Sequence, residues 1–342
     1  MPLTQKSMRK KLLVIQFVFA LFLSSKSNAQ TADDIQNIAL LLGDALFFSE
    51  QYIQPATDAA IYQSSSGWIV SPKKKERWKV TLGLHANAFF VPKNDREFTI
   101  KNSDFSFFEI EGATSAVVPT AMGNSNQVYL IGEIGGEQVR LETPRGVNQE
   151  SIVYPYLQGT IELPYGFEFI GRYSTKTKLK KGYYQVYGFG LKHNFSQYFS
   201  KLEAKKINFA LATIYSNEEI SFDFLDINTA YGNLGINKLT STVDTFHFIF
   251  SASKEFKKFE LISNLIVNTS NFEYIVSGQK GEIEEIIPLQ QTINSLLETI
   301  AERKTNVIGE ISGRYQFDKF YLQSSFAFGK FANLNLGVQY QF

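Results

Sequence analysis

From Arg77 onward the chain alternates apolar and polar residues with a period of two. Val80, Leu82, Leu84, Ala86, Ala88 and Phe90 alternate with Lys79, Thr81, Gly83, His85, Asn87 and Phe89, so a strand here gathers its aliphatic side chains on one face. The alternation recurs over 153–163, 167–174, 183–193, 207–215, 243–252, 259–267, 306–317, 320–328 and 333–342. Phe246, Phe248 and Phe250 oppose His247 and Ser251, and Leu334, Leu336, Val338, Tyr340 and Phe342 oppose Asn335, Gly337, Gln339 and Gln341. The stretch 183–193 fits either register. An apolar face backed by amides, hydroxyls and charges suits strands with hydrocarbon on one side and a wet interior on the other. The pattern predicts an all-β fold, a closed antiparallel transmembrane β-barrel of ten to fourteen strands. Short alternating pieces at 128–133 and 138–142, with weaker material in 220–240, make twelve the central expectation.

Loop lengths agree with that topology, because single-chain barrels keep both ends on one side and alternate short turns with long outer loops. The links expected beside the termini are 164–166, 194–206, 255–258 and 317–319. The expected outer links, 91–152, 175–182, 216–242, 268–305 and 329–330, include three long ones. In 281–303 Pro288 suits a first helical turn, and Leu289, Ile293, Leu296, Leu297 and Ile300 form an apolar stripe opposite Gln290, Glu298 and Glu302. That stripe serves either as a lid packed on the barrel rim or as an apolar site for a ligand or partner.

Ahead of Arg77 the period is different. Ile35, Ile38, Leu42 and Leu46 are spaced by three and four, predicting an amphipathic helix within 30–51. The stretch 52–68, with Pro55, Ser64-Ser65-Ser66 and Gly67, predicts a compact non-strand element. Residues 30–76 then form either a helical plug in the barrel mouth or a periplasmic segment beside it. Arg9, Lys10 and Lys11, the apolar run 12–23 and Ser27-Asn28-Ala29 predict a secretory signal peptide over 1–29. The division is therefore 1–29, 30–76 and a barrel over 77–342.

Composition sharpens this reading. Thirty-one Phe and 17 Tyr against 2 Trp favour strands and interfacial girdles. No cysteine is present, which excludes a disulfide framework and a lipidated cysteine. Removing Lys6, Arg9, Lys10, Lys11 and Lys26 with the leader takes the formal charge from +1 to −4, so nucleic acid is not an expected partner.

The candidate luminal residues are Glu162, Glu168, Arg172, Glu310, Arg314, His85 and His247, all on polar faces, with Lys79 also expected inward. Glu162, Glu168 and Arg172 flank one tight turn and are expected to meet across it. Such groups either select a solute or form the salt-bridged interior that any water-filled barrel needs. His85, His193 and His247 lack the paired spacing of a metal site, so no metal, cofactor or catalytic group is expected. Gly188 and Gly190 are read as points of strand curvature.

The terminal strand ending on Phe342 resembles outer-membrane β-barrel proteins of Gram-negative bacteria, in which this ending is read by the barrel-assembly machinery. Tyr52 to Pro55 with Gly67-Trp68, then Leu157-Gln158-Gly159-Thr160-Ile161-Glu162-Leu163-Pro164-Tyr165-Gly166, then Tyr187-Gly188-Phe189-Gly190-Leu191-Lys192-His193, are similar to a family of uncharacterised outer-membrane barrels. That family is loosely similar in layout to the long-chain fatty acid transporter group. The resemblance implies outer-membrane lipid as surroundings, an N-terminal hatch, a greasy entry groove on the outer loops and fourteen strands. This chain departs from the group in lacking a glycine-rich hatch pattern. The expected function is a passive channel or carrier for hydrophobic or small solutes, not an enzyme. The alternative is a structural or surface-interaction, adhesin-like outer-membrane barrel without transport.

Overall fold

The computed structural model describes residues 32–134, 137–148, 151–178, 182–223, 228–229, 232–233, 235–279, 288–300 and 303–342. The expected signal peptide therefore lies outside the described residues. A helix, α1 (Ala32–Ser65), precedes ten long strands: β1 (Val80–Phe90), β2 (Ser151–Glu162), β3 (Phe167–Tyr173), β4 (Tyr183–Asn194), β5 (Ile207–Asp223), β6 (Lys238–Phe256), β7 (Phe259–Ser277), β8 (Arg303–Phe317), β9 (Phe320–Phe328) and β10 (Ala332–Gln341). Each pairs antiparallel with its chain neighbour, and β1 also pairs with β10, closing the sheet on itself. Leu84 faces Val338 and Ala86 faces Leu336 across the closure, and the Phe342 amide donates to the Val80 carbonyl at 2.9 Å. Closure leaves no free edge among these strands.

The period of two becomes two unlike surfaces. Leu84, Phe248 and Leu336 are 60, 59 and 50% exposed, whereas Asn87, His247 and Asn335 are buried. On β4 the register is now fixed: Tyr187, Phe189 and Leu191 face outward, and Tyr184, Val186 and Lys192 are buried. Along β8 the outward run Val307, Gly309, Ile311, Gly313, Tyr315 and Phe317 carries no charged side chain. At a rise of about 3.3 Å per residue and the usual barrel tilt it is about 25 Å tall, matching the apolar band of a membrane barrel.

The strand number is ten, not twelve, nor the fourteen of the fatty acid transporter group. Tyr129–Ile134 and Glu137–Glu142 do pair, but in a three-stranded sheet with Glu109–Ile110, outside the barrel. Each is 6 residues long, short of the 9–11 or so needed to cross a bilayer. The weak 220–240 material instead carries β5 on to Asp223 and starts β6 at Lys238, while Asn228–Thr229 pairs with Gly232–Asn233 in a small hairpin of its own. The alternation faded there because Asn217, Glu219, Asp244 and Glu273 on the outward face are polar, while the hydrogen-bond ladder continues past the apolar band.

The helix is 34 residues long, crossing the boundary expected near residue 51. Pro55 removes an amide donor and crowds the preceding turn, which costs about 3 kcal/mol in an exposed helix. From Tyr52 to Tyr62, however, Ile53, Ala56, Ala59, Ala60 and Ile61 are all buried, so packing outweighs the breaker. The long β1–β2 loop clasps the other half of the helix. Asp44 accepts from the backbone N–H groups of Ser106, Phe107 and Phe108 at 2.7–3.1 Å.

Candidate functional site

The last turn of α1 and the chain that follows it run between the inner faces of the strands. Ser64 and Ser65 hydroxyls donate back to the Ile61 carbonyl, and the Trp68 indole N–H donates to the Ser64 carbonyl at 2.6 Å. Helix ends leave carbonyls without partners and carry partial negative charge, so a cation fits there. Arg172 of β3 supplies it. Its guanidinium donates to the Ser64 and Ser66 carbonyls at 3.2 and 2.9 Å and to Gln158 Oε1, and it lies 3.8 Å over the Trp68 ring and 4.2 Å over Tyr156. Gly67 then reverses the chain with φ of 73°, a conformation that favours glycine. Its amide and the Ser66 hydroxyl both donate to Glu310 Oε2, at 2.7 and 2.8 Å.

Below this point the wall continues to hold the segment. Gln158 donates to the Trp68 carbonyl, Gln323 to Ile69, Lys192 to Ser71 and Asn194 to Pro72. Above it, Asn87 and Tyr154 donate to the Gln63 carbonyl, Asn333 donates to Tyr62, and Asn268 donates to the Ser65 hydroxyl. The partners of residues 62–72 thus come from β1, β2, β3, β4, β7, β8, β9 and β10, and His247 of β6 lies 3.3 Å from the Ser65 hydroxyl. At Gly188, read from sequence as a point of strand curvature, a Cβ would collide with the Tyr215 carbonyl of β5 and sit 2.9 Å from the Trp68 indole ring, so the bare backbone admits both.

The predicted luminal residues do not form one cluster. Glu162 and Glu168 face each other across the β2–β3 ladder, but Arg172 is opposite Gln158, higher up, and does not join them. Glu168 is held instead by Lys75 at 2.5 Å and Lys192 at 3.0 Å, while Glu162 accepts from the Lys75 amide. Arg314 is 3.6 Å from Glu260 and donates to Gln339, away from Glu310. His85 stacks on Tyr156 with ring centroids 5.0 Å apart and contacts Asn335, and His247 lies 2.9 Å from the Ser216 hydroxyl. Lys79, expected inward, precedes β1, is half-exposed and lies 3.5 Å from Glu76.

Sequence reasoning missed Lys75, Lys192, Glu260 and Trp68. Lys192 and Glu260 were readable from the final register of their strands. Lys75 and Trp68 gave no signal, because their roles depend on where a non-repeating segment lies.

At the long-loop end α1 is anchored by Asp58, whose carboxylate meets Lys304 at 2.7 Å and Lys330 at 2.8 Å. Partial burial works against the Lys330 ammonium, but its bond to Asp58 outweighs this and holds its pKa above the ordinary lysine value. At the opposite end Lys73 meets Glu255 at 2.6 Å, beside the β6–β7 turn. The chain therefore passes from the loop face to the turn face before starting β1.

A family model described as "Family of unknown function (DUF6588)" matches residues 8–342. The chain belongs to the DUF6588 family. Among solved structures, the chain is similar to the translocator domain of autotransporter NalP from Neisseria meningitidis, with 9% identity over 84% of this chain and 95% of that one, at a TM-score of 0.31. It is also similar to Ail, the attachment invasion locus protein of Yersinia pestis, with 8% identity over 78% and 100% of the two chains, at a TM-score of 0.26. The toluene transporter TodX of Pseudomonas putida shares 8% identity over 81% and 92%, at a TM-score of 0.19. Scores this low carry no argument about function. No curated protein matches the chain.

In this DUF6588 barrel the outer-loop stripe falls on a helix, α2 (Leu289–Leu297), set against the end of β7. Leu297 is buried, and Ile293 and Leu296 are partly covered; the side chains of Leu289 and Ile300 lie outside the described residues. Asn294 pairs with both the N–H and the carbonyl of Val276, at 2.8 and 3.1 Å. Gln290 donates to the carbonyls of Gly235 and Gly278. The described part of the stripe is turned toward the rim.

Proposed function

We propose that this chain is an outer-membrane β-barrel kept shut by its own N-terminal segment, and that it works at the membrane surface through its ordered loop face. The outward apolar band supports membrane residence, because water would penalise so many exposed Phe, Leu and Val side chains. The closed terminal strand ending near Phe342 suits insertion by the barrel-assembly machinery, and export suits the leader read over 1–29.

One observation carries the closed reading: the inward side chains Arg172, Glu310, Gln158, Gln323, Lys192 and Asn194 are bonded to the main chain of residues 64–72. A standing pore would leave such groups to water and solute. The covered face of α2 supports a lid rather than a collecting site for apolar ligands. We assign the barrel no reaction.

A second reading, a passive carrier for hydrophobic or small solutes, is favoured by the surroundings of Gln63. Its amide nitrogen and the side-chain oxygens of Asn87 and Asn333 are buried without protein hydrogen-bond partners, so they offer polar groups that a small solute could bind. Single-channel recording on the intact protein tests the proposal. No steady current and no leak of a small entrapped solute from liposomes are expected. A sustained open current would overturn the closed reading, and solute flux without ion current would favour the carrier.

A further inference from the structure

We propose that the turn face of the barrel binds the headgroups of anionic phospholipids. This rests on the membrane reading above. At this face Lys74 marks the exit of the luminal segment, Lys205 and Lys206 follow the single helical turn Ser200–Ala204, Lys257 and Lys258 make the β6–β7 turn, and Lys319 lies in the β8–β9 turn. All six are exposed, and none has an ion-pair partner among the described residues. The nearby acids do little to offset them: Glu255 is held by Lys73 and Glu76 by Lys79, leaving Glu203 and Asp318. The positive charge is spread around the rim, not gathered at one point.

The depth of these lysines is set by the rings beside them. Phe256 and Phe259 flank the lysine pair of the β6–β7 turn, and Phe317 and Phe320 flank the β8–β9 turn; all four are exposed. Trp78, Tyr198 and Phe199, also exposed, continue the ring beside β1 and before Lys201. Aromatic side chains at the end of an apolar band sit at headgroup level. A lysine next to such a ring keeps its stem along the apolar surface and its ammonium among the phosphates. Turns built only for solubility would not need the rings, and a merely greasy rim would not need unpaired lysines. Together they fit a negatively charged headgroup in the membrane plane, with an attraction that salt screens.

The test uses the full chain in nanodiscs of phosphatidylethanolamine and phosphatidylglycerol, with retained lipid counted by native mass spectrometry after mild delipidation. The unaltered protein should retain phosphatidylglycerol several-fold above its bulk ratio, less at high salt. Lys74→Gln, Lys205→Gln, Lys258→Gln and Lys319→Gln combined should return the ratio to bulk, and the four arginine replacements should restore it. Lys206 and Lys257, at φ of 53° and 56°, stay unchanged so that their turns keep their geometry. Retention at the bulk ratio in the unaltered protein, or equal enrichment in the glutamine variant, would overturn the proposal. Insertion is scored separately by heat-modifiable electrophoretic mobility, so failure of the membrane reading shows as a chain that does not enter the disc.

Discussion

Arg172→Ala should lower the unfolding free energy of the barrel by about 3 kcal/mol, read from urea unfolding in lipid vesicles. The side chain is buried and meets the Ser64 and Ser66 carbonyls and the Gln158 amide oxygen, so its removal leaves buried acceptors short of donors at about 1–3 kcal/mol each. It also removes a cation from the end of α1 and from between two aromatic faces. Arg172→Lys should recover only part of the loss, because a single ammonium cannot reach three acceptors in the plane of the fork. Fluorescence of Trp68 reports the change directly, since Trp68 is buried under Arg172 while Trp78 is exposed. Unchanged stability in both variants would mean that the helix end is held by other groups.

Deleting residues 32–72 should convert a silent barrel into a conducting one, the largest functional change expected from any alteration of this chain. The wall would then present Glu162, Glu168, Glu218, Glu260 and Glu310 against Arg172, Lys192, Arg314 and the retained Lys75, a surplus of one acid that predicts a mild preference for cations. Closure of the shortened barrel is checked by its heat-modifiable mobility. A closed, inserted but silent product would mean that the loop face alone blocks passage.

The barrel was legible because its evidence is local and repeated. A strand with lipid on one side must alternate, and a slip of one residue would turn every side chain of the strand to the wrong face. Thus the inward placement of His247, Glu310 and Gln339 and the outward placement of Phe248, Leu336 and Val338 follow from spacing alone. The expected twelve strands failed at 128–142, where alternation was real but the pieces were too short to cross a bilayer.

The site was harder to read, because it is made by a segment with no period. Pro55 argues for a break when read locally, and burial against the barrel wall carries α1 past it to an end within the serine run. The partners of Glu168 could not be foreseen for the same reason: Lys75 lies on that segment and reaches Glu168 only once the chain has passed down the lumen.

Labelling of single cysteines tests the threaded lumen most directly, and the natural chain contains none to interfere. Gln36 is exposed on the half of α1 that packs against the long loops, Ser64 is buried among the inward side chains, and Lys74 is exposed at the turn face. On intact cells a membrane-impermeant maleimide should label Gln36→Cys, leave Ser64→Cys untouched, and reach Lys74→Cys only after the outer membrane is permeabilised. Labelling of Gln36→Cys and Lys74→Cys from the same side, or ready labelling of Ser64→Cys, would contradict a chain that runs through the barrel and closes it.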